Sequence, residues 1–157
     1  MKLIQMKITL LFFVLLPGAN YTSFLDFVST HFKPPETVKR VCTWQYAIVK
    51  VKTDGKSEII DYHIENKVSN DLINSFQFLK GYHFNSGLNM RNRSLVFFYS
   101  IENQRVNNCD IPQPVNYKHP SAEKIYNQYK IKHSKDKQKN VYVDEILTSI
   151  YDDPIIN

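Results

Sequence analysis

The sequence predicts an α+β domain: a β-β-α-β unit whose three strands form an antiparallel or mixed sheet in the order 2-1-3 under one covering helix, with helical segments on either side. Three observations predict it. Two stretches around Asp54-Gly55 alternate apolar and polar residues with period two. Leu72, Ile73, Phe76 and Leu79 repeat at helical spacing. A third run, Arg93 to Glu102, is rich in β-branched and aromatic residues.

In chain order, Lys2 and Lys7 precede the apolar run Ile8 to Leu16, and Pro17, Gly18 and Ala19 follow it. This is the charged, apolar, small-residue order of a secretory signal, expected to be cleaved after Ala19. The run is too short to cross a bilayer as a helix, which takes about 20 residues. A short membrane anchor or a buried helix is the competing reading. No cysteine sits just after the run, so a lipid anchor is not indicated. The expected location is periplasmic or secreted. The formal charge of +5 falls to about +3 without Lys2 and Lys7, a mild basicity that does not call for a polyanion partner.

Phe24, Leu25, Val28 and Phe32 mark one face of a helix from Tyr21 to Phe32. Thr22 or Ser23 is its expected cap, and Lys33-Pro34-Pro35 ends it. In the first strand, Trp44 to Thr53, Tyr46, Ile48, Lys50 and Lys52 alternate with Ala47, Val49 and Val51. Asp54-Gly55 suits a tight turn that needs positive φ, and Glu58 to Ile64 completes a hairpin. Ser69 is the expected cap of the covering helix, Asp71 favours its first turn, and Gly81 closes it. Phe78 falls off the buried stripe.

The third strand is apolar on both faces. Leu95, Phe97, Tyr99 and Ile101 point one way, and Val96 and Phe98 the other. It is therefore either covered on both sides or left with one exposed apolar face. A helix between strands two and three lays strand three parallel to strand two. On the free side of strand one this gives the order 2-1-3. Cys42 then lies just before strand one and Cys109 just after strand three. An even pair of cysteines in an oxidising compartment leads to the expectation that they are bridged. Beyond a Pro-rich loop, Ser121 to His133 is an expected helix capped by Ser121, with Ile125 and Tyr129 one turn apart. Residues 130–139 are a charged, solvated stretch, able at most to touch a membrane surface weakly. Val143, Ile146, Leu147 and Ile150 have helical spacing and predict a last helix. The chain thus divides into a signal at 1–19, a helical segment and linker at 20–40, the β-β-α-β domain at 41–106, and an extension at 107–157.

No constellation that carries chemistry stands out. The four glycines stand apart and form no phosphate-cradling loop, and neither cysteine nor any of the five histidines has a metal-ligand partner at short spacing. No cofactor, metal or nucleic acid is implied. His83 with Glu65 or Asp61, and His63 alone, are the candidates for acid–base work.

Val49-Lys50-Val51-Lys52-Thr53-Asp54-Gly55-Lys56, with Ile60 and Ile64 in the second strand, the Leu72/Ile73/Phe76/Leu79 helix and Arg93 to Ile101, resembles the C-terminal domain of TonB-type energy transducers in their divergent, Bacteroidetes-like forms. The resemblance covers about residues 40–104. Gly81-Tyr82-His83-Phe84 stands where that family has small residues and a Trp, and the family's Pro-rich linker is absent. The resemblance implies a non-catalytic interaction module whose last strand accepts an extended segment of an envelope protein or peptide. Main-chain hydrogen bonds supply affinity and side-chain pockets supply register. It points to Leu95, Phe97 and Tyr99 on one face, or Val96 and Phe98 on the other. The same residues are ordinary core on whichever face meets the helix. A small secreted enzyme using His63 or His83, and a structural envelope protein, are the alternatives.

Overall fold

The structure, a computed structural model, describes residues 21–41, 43–103, 120–136 and 140–151. The signal segment, Cys42, Cys109 and therefore the expected bridge lie outside the described residues. The fold is α+β, with a four-stranded mixed sheet in the order β2-β1-β3-β4. The strands are β1 (Gln45–Thr53), β2 (Ile59–Ile64), β3 (Ser94–Asn103) and β4 (Asn140–Tyr151). β1 pairs antiparallel with both β2 and β3, and β4 adds to β3 in parallel. The helices are α1 (Thr22–His31), the single turn α2 (Glu36–Lys39), α3 (Asn70–Asn74) and α4 (Ala122–Lys132).

The alternation in β1 sorts its side chains as the sequence implies. Ala47, Val49 and Val51 enter the larger core with Leu95, Phe97, Tyr99 and Ile101 of β3, beneath Phe24, Leu25 and Val28 of α1 and Leu72 of α3. Ile48 faces the opposite way, joining Trp44, Val96, Phe98 and Tyr126 in a second, smaller core under α4. α1 ends where Lys33-Pro34-Pro35 requires, but Tyr21 occupies its N-cap and no side chain caps it. Neither Thr22 nor Ser23 takes that role.

The hairpin turn departs from the Asp-Gly expectation. Ser57, not Gly55, has positive φ, at 66°. Asp54 organises the turn instead. Its Oδ1 accepts the backbone N–H of Lys56 (2.8 Å) and of Glu58 (2.9 Å). A short polar side chain that bonds the backbone just ahead of it fixes such a turn without glycine.

The covering helix is shorter than expected. Ser69 caps it, accepting the N–H of Leu72, yet α3 stops at Asn74 and the chain tightens into a 3-10 turn over Gln77–Leu79. Leu72, Phe76 and Leu79 are all fully buried, so the apolar stripe is kept while the helix type changes. Gly81 has φ +87°, the left-handed conformation that closes the segment. Phe78, off the stripe, packs beside Phe27 of α1, with ring centroids 5.7 Å apart.

The main correction is β4. The spacing of Val143, Ile146, Leu147 and Ile150 predicts a helix, and the chain instead forms the fourth strand. β4 is apolar on both faces: Val143 and Leu147 enter the larger core while Tyr142 and Ile146 pack on the smaller one. A strand covered on both sides places apolar residues in both parities, which imitates helical spacing. The pairing also slips between Val96↔Tyr142 and Phe98↔Ile146, so β4 carries a bulge there. β4 belongs to the same sheet as β1–β3, and α1 packs on the same core.

α4 spans the β3–β4 half of the second face. Tyr126, 1% exposed, donates its hydroxyl to the Val96 carbonyl at 2.8 Å, and burial pushes its phenol up out of the ordinary range. Lys130 lies over the Tyr126 ring, 4.8 Å from its centroid, and pairs with Asp144 of β4 at 2.8 Å. The ring fills space and the hydroxyl satisfies one lone pair of a carbonyl within the sheet. Tyr126→Phe should therefore cost only about 0.5–1.5 kcal/mol, against about 3–5 kcal/mol for Tyr126→Ala. Urea unfolding followed by circular dichroism separates the two; equal losses would mean that the hydrogen bond, not packing, holds α4.

Candidate functional site

The five residues to which the resemblance points lie at the centre of the molecule. Leu95, Val96, Phe97 and Phe98 are 0% exposed and Tyr99 is 1%. β3 runs between β1 and β4, so the expected binding strand has no open edge; the C-terminal segment occupies the place where a partner strand would add. Both of its faces are core. Tyr99 reaches across to β4, its hydroxyl 2.5 Å from Ser149 Oγ, and burial pushes its phenol up to about 12.

The outer edges of the sheet fall to β2 and β4. Part of the β2 edge is closed by the chain that follows the 3-10 turn. Ile59 N–H donates to Tyr82 O at 2.9 Å, Gly81 N–H donates to Ile59 O at 2.9 Å, and Glu58 bridges to His83. The rest carries Asp61, His63 and a bulge beside Thr53, features that blunt an edge. β4 differs along its length. Asp144 and Glu145, both exposed, sit at its bulge and guard its first half. The second half, Ile146–Tyr151, reads ILTSIY and has no charge. Among the described residues no strand pairs with its outer side. Ile150 is 55% exposed.

The described histidines do not share one site. Asp61 and His63 of β2, with Glu65 just after it, line a cleft of about 180 Å³ with Lys50 and Lys52. His63 stands opposite Lys50 in the strand register, and Asp61 lies 3.9 Å from Lys80. No hydrogen bond joins His63 to a carboxylate among the described residues. His83 lies in a different cleft, with Lys56 and Arg91. The His31 ring lies tilted against Phe27 and His133 stacks on Tyr129, with ring centroids 4.3 Å and 4.4 Å apart. Among the described residues no three His, Cys, Asp or Glu side chains converge as metal ligands, and no helix is long and apolar enough to cross a membrane.

Of the charged stretch at 130–139, Lys130 is tied to Asp144, Ser134–Asp136 form a 3-10 turn, and residues 137–139 lie outside the described residues. No family model, curated protein or solved structure matches this chain. The feature the sequence reading missed is the edge of β4. Its signal was composition: Val141, Val143, Ile146, Thr148 and Ile150 are all β-branched, which favours a strand over a helix.

Proposed function

We propose that this protein is an exported, non-catalytic interaction module that captures an extended segment of an envelope protein by strand addition, and that the capturing strand is β4. The signal-like N-terminus and the resemblance to the TonB C-terminal domain support the location and the mode. One observation supports the change of strand: Ile146–Tyr151 is an uncharged run at the end of the sheet, unpaired on its outer side among the described residues. An edge strand presents a row of free N–H and C=O groups to an incoming chain. Leu95 to Tyr99 then support the site from beneath, holding β4 in place through the β3–β4 ladder.

The experiment is capture from envelope extracts with the mature domain as bait. Thr148→Lys with Ile150→Lys places two charges on exposed positions of the edge, so the fold should persist by circular dichroism while capture falls at least about tenfold, a loss of 1.4 kcal/mol or more. Undiminished capture by the double variant would sink the assignment to β4. The second reading, a small secreted enzyme, rests on the gathering of Asp61, His63 and Glu65 in one cleft. His63→Ala should leave capture unchanged; loss of a biological effect with the fold intact would favour the enzyme.

A further inference from the structure

We propose that the cleft between the β1–β2 turn and the loop leading into β3 is a binding site for a tetrahedral oxyanion, carried as the phosphate group of a small monoester. The cleft holds about 350 Å³. Lys56 comes from the turn; His83, Ser86, Asn89 and Arg91 come from the loop; none of the residues lining it is acidic. Lysine and arginine supply charge-assisted donors to a phosphate, and the neutral side chains supply further hydrogen bonds at its rim.

The walls are fixed in place. Phe84 and Met90, each 1% exposed, anchor the loop in the core at two points. Phe84 N–H donates to Ser57 O at 3.0 Å and Asn92 N–H donates to Asp54 O at 2.9 Å, tying loop to turn. The Thr53 hydroxyl donates to the Met90 carbonyl, and Arg93 Nη1 donates to Asn89 O at 3.3 Å. Glu58, paired with His83 through the backbone, and Asp54 are acidic groups beside the cleft, and of the two Asp54 is held by the turn. Hydrogen bonds from the N–H groups of Glu58 and Lys56 hold its carboxyl below the usual range, with Lys56 and His83 as nearby positive charge. That carboxylate is turned into the hairpin and organises it. Three basic side chains are thus left lining a preformed recess, which lowers the ordering cost of binding. The site lies apart from the β4 edge and does not depend on it.

The test is a titration of the full mature domain with inorganic phosphate at constant ionic strength, followed by backbone amide shifts. Saturable shifts are expected at Ser57, His83, Ser86 and Asn89. Lys56→Gln with Arg91→Gln removes two exposed charges and should weaken binding about tenfold or more. Lys50→Gln with Lys52→Gln removes the same charge elsewhere and should not. Shifts reproduced by chloride, or equal weakening by both double variants, would overturn the proposal. Glucose 6-phosphate and phosphatidic acid vesicles, the latter read by sedimentation against phosphatidylcholine, separate a soluble ester from a lipid headgroup. Failure of both to respond to Lys56→Gln with Arg91→Gln overturns it as well.

Discussion

Phe24→Ala should destabilise the protein by about 3–5 kcal/mol, a large part of the roughly 5–15 kcal/mol that holds a typical domain together. Phe24 is 1% exposed, and its ring meets Tyr82, Phe84 and Phe97 at centroid distances of 5.3, 5.1 and 5.4 Å. Removing it opens a cavity between α1, the loop before β3 and the sheet. It also forfeits edge-on aromatic contacts with Tyr82 and Phe97. The sequence reading set residues 20–40 apart from the strand unit; if that division were physical, the loss would be confined to a locally frayed helix. Urea unfolding followed by both circular dichroism and tryptophan fluorescence decides it. Trp44 lies in the smaller core on the other face of the sheet. Coincident transitions shifted together mean one cooperative unit, whereas an unshifted fluorescence transition would sink this account.

Removing residues 140–157 should drive the protein into high-order association. The truncation strips β4 from β3, a strand of 10 residues that is apolar on both faces, and uncovers its whole outer ladder. It also removes Val143 and Leu147 from the larger core and Ile146 from the smaller one. An exposed, long, apolar edge strand is a template for pairing with other chains. Size-exclusion chromatography should show high-order association, with a rise in thioflavin fluorescence. A monomeric product that unfolds cooperatively would mean that β4 is dispensable to the core.

The sequence was most informative where the two faces of an element differ. In β1, Lys50 and Lys52 contrast with Ala47, Val49 and Val51, so parity could be read directly; the crossover gave the parallel sense of strands two and three, and the 2-1-3 order was expected mainly because it brings Cys42 near Cys109. β3 was legible as a strand from its β-branched and aromatic run, while whether one or both of its apolar faces is covered stayed open. The sequence misled at β4, where apolar residues in both parities meet a bulge. β4 satisfies helical spacing because strand parity on two buried faces produces similar intervals, and a bulge obscures the period further. Turn chemistry misled in another way: Asp54 was correctly singled out, but its carboxylate, rather than Gly55, makes the turn. The candidate sites were harder still. Whether a strand is an edge depends on which strand ends the sheet, a property of topology that no local pattern encodes. The basic cleft joins Lys56 to Arg91 only because Phe84 and Met90 bury the loop between them.

The parallel pairing of β3 with β4 also sets a kinetic order. Leu95 pairs with Val141 and Tyr99 with Leu147, so the closing contacts of the sheet join residues distant in the chain and lie near its C-terminal end. The hairpin of β1 and β2 can form locally and early, while long-range parallel pairing is slow because loop-closure entropy comes first. A chain emerging N-terminus first would therefore hold β3 uncovered until β4 arrives. During that delay β3, apolar on both faces, is the surface that other chains could pair with and that a holding chaperone would guard.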